Sequence, residues 1–231
     1  MPHPVGEAVT LAREDTPDGE VALRRRGEVL ELVVDGAFAM DTVDVSTERL
    51  LAQRALARRP APVRVLVGGL GLGVTTRAVL ADPRVELVDV VELAGPLVRW
   101  AREGLVPELA GLEPARCRVH EGDVAAVLGA ASVPSGPWDV VLLDVDNGPG
   151  FLVHATNAGL YEAPGLGAAR AALAPGGVLV VWSSHVAPSL LAAMRSVAGD
   201  GDLVDEELLP VSREGRSLEY ALYTLVRAPH P

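Results

Sequence analysis

The chain has 231 residues, 49% of them hydrophobic, and a formal net charge of −11 at pH 7. This size and apolar content suit one α/β domain with a sizeable core. The acidic balance argues against a nucleic-acid partner and against an anionic membrane surface. All 20 basic residues are arginine, so no lysine can hold a phosphate or form a Schiff base. The single cysteine, Cys117, excludes an intrachain disulfide and a thiol-rich metal site, and we predict no metal.

The N-terminal part of the chain predicts a small β region. Residues 1–19 are polar and lack the basic and apolar runs of a secretion signal, so we expect a loose arm and a cytoplasmic protein. No stretch of the chain is long and apolar enough for a membrane span. Residues 20–42 hold short β-prone runs broken at Gly27 and at Asp35-Gly36, which predict two or three antiparallel strands with tight turns.

A helical pattern follows this short β-hairpin region. Ser46 is its predicted cap, and Thr47 and Glu48 fall in its first turn. The prolines at 60 and 62 end the helix and mark a domain boundary. We therefore predict an N-terminal part, residues 1–60, and a main domain, residues 61–231.

From residue 63 onward, apolar strands and helices alternate. The strand patterns are nearly continuous runs of valine and leucine, typical of parallel strands covered on both faces. Two further strand-like segments close the chain, and residues 212–216 predict the tight turn between them. The predicted fold is α/β, with a doubly wound, mostly parallel sheet.

A glycine loop follows the first strand of the main domain. Gly69, Gly71 and Gly73 give the pattern G-x-G-x-G. A phosphate loop would need a lysine, and a dinucleotide loop would need a third glycine where Val74 or Thr76 stands. The loop is therefore either a tight turn without a ligand or a place where backbone approaches a ligand that lacks phosphates.

Acidic residues stand at the ends of the next three predicted strands. Glu92 can accept both hydroxyls of a ribose, Asp123 can accept from an adenine amino group, and Asp144 ends the fourth strand. Because the carboxyl ends of parallel strands share one crevice, these acids and the glycine loop should converge there. Any one of them alone could equally be a helix cap.

This arrangement resembles the class I methyltransferase fold, whose ligand is S-adenosylmethionine. Within that fold, the stretch from Val29 to Ser184 resembles the spermidine synthases, notably in "VRVLVGGLGLGVTTRAVL" and "WDVVLLDVDNGPG". The resemblance implies a seven-stranded sheet, Glu92 on the ribose, Asp123 on the adenine and a catalytic acid at Asp144. It also implies a homodimer, and S-adenosylmethionine or its decarboxylated form as cofactor.

The chain departs from the family pattern in three places. Leu72 stands where the family's glycine loop carries an aspartate, and Asn147 stands where its second fourth-strand acid falls, although Asp146 could serve instead. The Tyr-His-Glu stretch that lines the family's diamine site corresponds to a segment in which only Glu48 matches, as the acid.

Residues after the fourth strand supply further candidates. Besides Asp144, Asp146 and His154 are candidate bases, because an amine acceptor must lose a proton before it attacks a sulfonium carbon. The candidate acceptor-site residues are Asn147, Asn157, Tyr161 and His185. We assign the three tryptophans to packing.

Three functions stay open at this point. We favour S-adenosylmethionine-dependent methyl transfer to an unidentified small molecule. The alternative is aminopropyl transfer from decarboxylated S-adenosylmethionine, against which Leu72 and the missing Tyr-His pair count. The third is a non-catalytic nucleoside-binding or assembly protein that has kept the fold.

Overall fold

Valine and leucine fill the central strands of a seven-stranded sheet, because helices cover both faces of that sheet. A computed structural model describes residues 6–17, 19–60, 63–110, 115–213 and 216–229. The strands are β1 (Val9–Thr16), β2 (Gly19–Arg26), β3 (Val29–Val34), β4 (Ala37–Asp41), β5 (Val63–Gly68), β6 (Val85–Glu92), β7 (Cys117–Glu121), β8 (Trp138–Leu143), β9 (Leu173–Ser183), β10 (Leu203–Arg213) and β11 (Arg216–Val226). The α-helices are α1 (Ser46–Leu56), α2 (Val74–Leu80), α3 (Gly95–Arg102), α4 (Val124–Leu128), α5 (Ala163–Ala172) and α6 (Pro188–Val197), with 3₁₀ segments at Pro107–Leu109 and Ala155–Tyr161.

The large sheet has the strand order β10-β11-β9-β8-β5-β6-β7. Strands β9, β8, β5, β6 and β7 run parallel, whereas β11 and β10 are antiparallel at one edge. The predicted seven-stranded, mostly parallel sheet is thereby confirmed. The chain winds outward from β5 through β6 and β7, then returns to β8 on the other side of β5. This reversal opens a crevice at the carboxyl ends of β5 and β8.

The N-terminal region is larger than the sequence predicts. It is a four-stranded antiparallel sheet in the order β1-β2-β3-β4, rather than a short hairpin region preceded by a loose arm. Val9–Thr16, within the supposed arm, pairs with β2 from Val9↔Arg25 to Thr16↔Gly19. The prediction was wrong because this strand is at the edge of the sheet and mostly exposed, so its polar sequence lacks the apolar alternation of a half-buried strand.

Local details around α1 also differ from the expectation. Val45 is the N-cap residue, and no side chain caps the helix. Ser46, the predicted cap, is the first helical residue and donates its N–H to Asp44 Oδ1 at 3.0 Å. The helix ends at Leu56, before the prolines. Positions 61 and 62, and positions 214 and 215 of the predicted turn, lie outside the described residues.

One hydrophobic cluster spans both sheets. Val21 and Leu32 of the small sheet belong to the same buried cluster as Val65 and Val140 of the large sheet. The tryptophans at 100, 138 and 182 are all buried, in agreement with their assignment to packing. In the part of the chain that the structure describes, no helix is both long and apolar enough to cross a membrane.

Candidate active site

The glycine loop connects β5 to α2 with three glycines at positive φ. Gly69 has φ +91°, and a Cβ there would lie 2.2 Å from the carbonyl oxygen of Asp144, so the loop can approach β8 only with glycine at this position. A Cβ on Gly71 would lie 2.6 Å from Met40 Sδ. Gly73 is the left-handed N-cap residue of α2.

A cavity opens beside this loop, between the carboxyl ends of the parallel strands and the small N-terminal sheet. Gly69 and Gly71 line it, whereas Gly73 is not among the described lining residues. Its charged and titratable lining residues come from the ends of β6 and β7, from the loop after β8 and from the first turn of α1: Glu48, Glu92, Asp123, Asp144, Asp146 and His154. No arginine is found among the described residues that line it. The cavity therefore favours cationic ligands.

Glu92 is the last residue of β6 and holds the glycine loop by a hydrogen bond. Its Oε2 accepts the backbone N–H of Leu70 at 2.8 Å, and its Oε1 accepts that of Ala94 at 2.7 Å. Burial raises the pKa of the Glu92 carboxyl, and these two backbone N–H groups oppose the rise. The free lone pairs on both oxygens remain available to ligand hydroxyls.

Asp123 follows β7 and is both a cap and a cavity residue. Its Oδ1 accepts the backbone N–H of Ala125 at 2.7 Å, which caps α4. The sequence left the cap and the ligand contact as alternatives, and the geometry is compatible with both, because a carboxylate has several acceptor positions.

Asp144 directly follows β8 and lines the cavity. Its Oδ2 accepts the hydroxyl of Thr75, in the first turn of α2, at 2.5 Å. Burial raises the pKa of the Asp144 carboxyl, against the effect of that hydrogen bond. The acid is thus held in one orientation and is more basic than an exposed aspartate, which suits proton transfer.

Glu48 matches the acid of the family's diamine-site stretch in sequence, and the structure places it in the cavity. It lies in the first turn of α1 and lines the same cavity as Asp144, and its Oε2 accepts the hydroxyl of Thr47 at 2.9 Å. Burial, and then the negative charge of Asp144, raise the pKa of Glu48 to about 7. Two carboxylates from distant parts of the sequence therefore line one cavity.

Asp146 organises the loop after β8. Its Oδ1 accepts the backbone N–H groups of Val153 and His154 at 2.9 and 3.1 Å, and its Oδ2 accepts Asn157 Nδ2 at 2.9 Å. These three donors occupy much of its acceptor capacity, and they hold His154 and Asn157 at the cavity wall. Asp146 is better placed to support the loop than to exchange protons.

The remaining predicted acceptor-site residues divide into two groups. Asn147 lines the cavity, and its carbonyl oxygen accepts Ser184 Oγ at 2.7 Å. Tyr161 is buried in the core, where its hydroxyl donates to the carbonyl of Val145 at 2.6 Å, and His185 stacks edge-on against Phe151. Neither of these two is among the described lining residues. Tyr161 was a candidate because it follows the loop after β8, and His185 because it follows β9 at the same edge of the sheet.

The cavity also has an apolar wall, which the sequence analysis did not predict. We give this name to six of the cavity-lining side chains that belong to one hydrophobic cluster: Val21, Leu32, Val34, Met40, Val153 and Trp182. The Trp182 Nε1–H is buried and has no hydrogen-bond partner among the described residues. Leu72, in contrast, is buried away from the cavity, and its N–H contacts Met40 Sδ at 3.2 Å.

The fold and this crevice define a class I methyltransferase-like protein with a second, antiparallel sheet. Solved structures agree on the fold. A spermidine synthase in complex with the transition state analogue AdoDATO superposes with a TM-score of 0.78 at 18% identity, covering 96% of this chain and 75% of that one. The spermidine synthase from Thermotoga maritima gives a TM-score of 0.73 at 17% identity, over 96% and 73% of the two chains.

Sequence comparison identifies the family. The profile of the spermine/spermidine synthase domain matches residues 45–194, and the chain belongs to that family. It is 30% identical over 173 residues to spermidine synthase 1 of Hyoscyamus niger, covering 72% of this chain and 53% of that protein. It is 34% identical over 165 residues to a polyamine aminopropyltransferase of Mycobacterium tuberculosis, covering 70% and 30%. The chain spans about half the length of the spermidine synthase and about a third of the length of the mycobacterial protein.

Proposed function

We propose that this chain transfers an aminopropyl group from decarboxylated S-adenosylmethionine to an amine. The observation that carries the proposal is the charge of the cavity: five carboxylates and no arginine among the described lining residues. The donor's sulfonium and terminal ammonium and the acceptor's ammonium are all cations. S-adenosylmethionine itself would bring a carboxylate into this acidic cavity, where none of the described lining residues is an arginine that could pair with it.

The comparisons favour the aminopropyl alternative over methyl transfer, which the sequence analysis favoured, and they give methyl transfer no support. Leu72 counted against decarboxylated S-adenosylmethionine because the loop lacks an acid. The cavity nevertheless holds acids from other elements, notably Glu48 and Asp146, so the absence at position 72 does not leave the donor's ammonium without a negative environment.

The proposed reaction is a direct displacement. Asp144, with Glu48 beside it, takes one proton from the acceptor ammonium, and the freed nitrogen lone pair attacks the propyl carbon bonded to sulfur. The N–C bond forms as the C–S bond breaks, and the electron pair stays on sulfur, so neutral 5′-methylthioadenosine leaves. Glu92 and Asp123 hold the nucleoside, so that much of the acceleration comes from orientation.

The test compares the two donors on the purified chain. Calorimetry should show decarboxylated S-adenosylmethionine binding about tenfold or more tightly than S-adenosylmethionine, equivalent to about 1.4 kcal/mol or more. Incubation of the decarboxylated donor with a panel of primary amines should release 5′-methylthioadenosine. Equal or tighter binding of S-adenosylmethionine, with S-adenosylhomocysteine as the product, would support methyl transfer instead.

A further inference from the structure

The position of Asp144 is set by the chain segment that runs from β5 into α2. The backbone N–H of Asp144 donates to the carbonyl of Gly68 at 2.9 Å, and its own carbonyl lies so close to Gly69 that a Cβ there would come within 2.2 Å. At the end of the side chain, the hydroxyl of Thr75 donates to Oδ2 at 2.5 Å. Backbone and side chain are therefore both held, and the Thr75 hydroxyl is the group that holds the carboxylate.

The two oxygens of this carboxylate have different surroundings. Oδ2 accepts the Thr75 hydroxyl at the separation typical of a hydrogen bond from a hydroxyl to a charged carboxylate. No second hydrogen bond to the Asp144 side chain is found among the described residues, so these residues leave the lone pairs of Oδ1 unengaged. The contact with Thr75 therefore makes two chemically equivalent oxygens unequal.

Two threonines stand side by side in the first turn of α2, and only one of them serves the site. Thr75 and Thr76 are both buried, at 3% and 1% exposure. Thr75 lines the cavity, whereas Thr76 is not among the described lining residues, and its Oγ1 has no hydrogen-bond partner in the described part of the chain. Packing alone does not require a hydroxyl at position 75, since valine has the same shape without a buried polar atom.

We propose that Thr75 is a positioning residue for the transfer: its hydroxyl occupies Oδ2 of Asp144 and leaves Oδ1 as the oxygen that takes the proton of the acceptor amine. The inference rests on the proposed function and adds a residue to the same site. Holding one oxygen prevents the carboxylate from rotating, so the other oxygen meets the acceptor nitrogen in one geometry. The acceptor ammonium loses one proton to Oδ1, and Thr75 keeps its own.

Removing this hydroxyl should also change the acidity of Asp144. Burial raises the pKa of Asp144, and the Thr75 hydrogen bond opposes that rise, because a donor to the charged form favours it. The other titratable groups that line the cavity or interact electrostatically with this acid are Glu48, Glu92, Asp123, Asp146, His154 and Tyr161. None of them is hydrogen-bonded to Thr75 in the described part of the chain, so loss of the hydroxyl acts directly on Asp144.

Three substitutions in α2 test this role. Thr75→Val removes the hydroxyl and keeps the shape, Thr75→Ser keeps the hydroxyl, and Thr76→Val is the matched control. Each variant is assayed for single-turnover release of 5′-methylthioadenosine from the decarboxylated donor. The acceptor is whichever of putrescine, cadaverine and n-butylamine the wild type uses fastest.

Thr75→Val should be slower by about 10–100-fold, because the base is no longer held in one orientation. The base must be unprotonated to act, so the acidic limb of the pH–rate profile should move to higher pH by about one unit. The affinity of Thr75→Val for 5′-methylthioadenosine, measured by calorimetry, should stay within a factor of about two of the wild type. Thr75→Ser and Thr76→Val should keep the wild-type rate and profile.

A wild-type rate and pH profile in Thr75→Val would overturn the inference. An equal loss in Thr76→Val or in Thr75→Ser would also overturn it, because packing would then explain the effect, and so would a large loss of nucleoside affinity in Thr75→Val. If Thr75→Val does not fold, Thr75→Ala, which also lacks the hydroxyl, is measured in its place. Failure of the wild type to release 5′-methylthioadenosine with any of these amines would instead contradict the proposed function itself, and the inference with it.

Discussion

Protonation of the Glu48 carboxyl, which lines the cavity, affects the stability of the fold. Its pKa is raised to about 7 from an ordinary value of 4.5, so the native state holds the proton more tightly than the unfolded chain does. Stability should therefore fall as the pH rises from about 4.5 to about 7, by up to about 3 kcal/mol. Glu48→Gln should remove this fall and be the more stable protein at about pH 8.

Urea unfolding of both proteins at about pH 5 and about pH 8 measures this difference. Glu207→Gln is the control, because that acid forms an exposed pair with Arg54 and its pKa is lowered. The control should change stability by less than about 1 kcal/mol at either pH. A pH dependence in Glu48→Gln identical to that of the wild type would contradict the assignment.

Asp144 lines the cavity, and the proposed reaction gives it a direct chemical role. Asp144→Asn keeps the shape and the neighbour Thr75 but cannot accept the proton, so single-turnover formation of 5′-methylthioadenosine should slow by about 10²–10⁴-fold. Asp200→Asn, at an exposed position, serves as the control and should keep the wild-type rate. A rate within a factor of about three of the wild type would make Asp144 a structural acid.

At the scale of elements, the loop after β8 depends on one side chain. Asp146→Ala removes the acceptor for the N–H groups of Val153 and His154 and for the Asn157 amide. Amide hydrogen exchange over residues 147–157 should become faster, while exchange in β8 stays slow. Asp200→Ala should leave both regions unchanged. Unaltered exchange at Val153 and His154 would show that other contacts hold the loop.

The elements around the cavity differ in how far the sequence alone predicted them. The glycine loop and the acids at 92, 123 and 144 were predictable, because strand ends of a parallel sheet must meet at one edge. The strand β1 was missed because an exposed edge strand has no apolar pattern. Tyr161 and His185 are not among the described residues that line the cavity, because a position after a strand does not determine which way a side chain points.

At the scale of the whole molecule, the two sheets share one core. Leu23 of β2 is fully buried in that cluster, so Leu23→Ala should lower the free energy of unfolding by about 2–5 kcal/mol. All three tryptophans lie after residue 63, outside the small sheet, so their fluorescence follows the unfolding of the main domain. It should shift together with far-UV circular dichroism in one transition.

Val9→Ala, at a 58% exposed position, is the control and should change little. If Leu23→Ala leaves the unfolding transition measured by tryptophan fluorescence unchanged, the small sheet unfolds independently of the main domain. The domain boundary predicted at residue 60 would then also separate two parts that unfold independently.

The sequence by itself determined the architecture and predicted that the glycine loop and the acids at 92, 123 and 144 share one crevice. Hydrophobic periodicity, glycines at a strand end and acids after successive strands are local signals, and the geometry of a parallel sheet brings them together. Only the tertiary structure decided which other side chains complete the cavity. Glu48 and the apolar wall come from α1, β2, β3, β4, the loop after β8 and β9, and they become neighbours because the small sheet packs over the crevice and shares its core. Such long-range packing depends on side-chain volumes across many elements, and no local pattern encodes it.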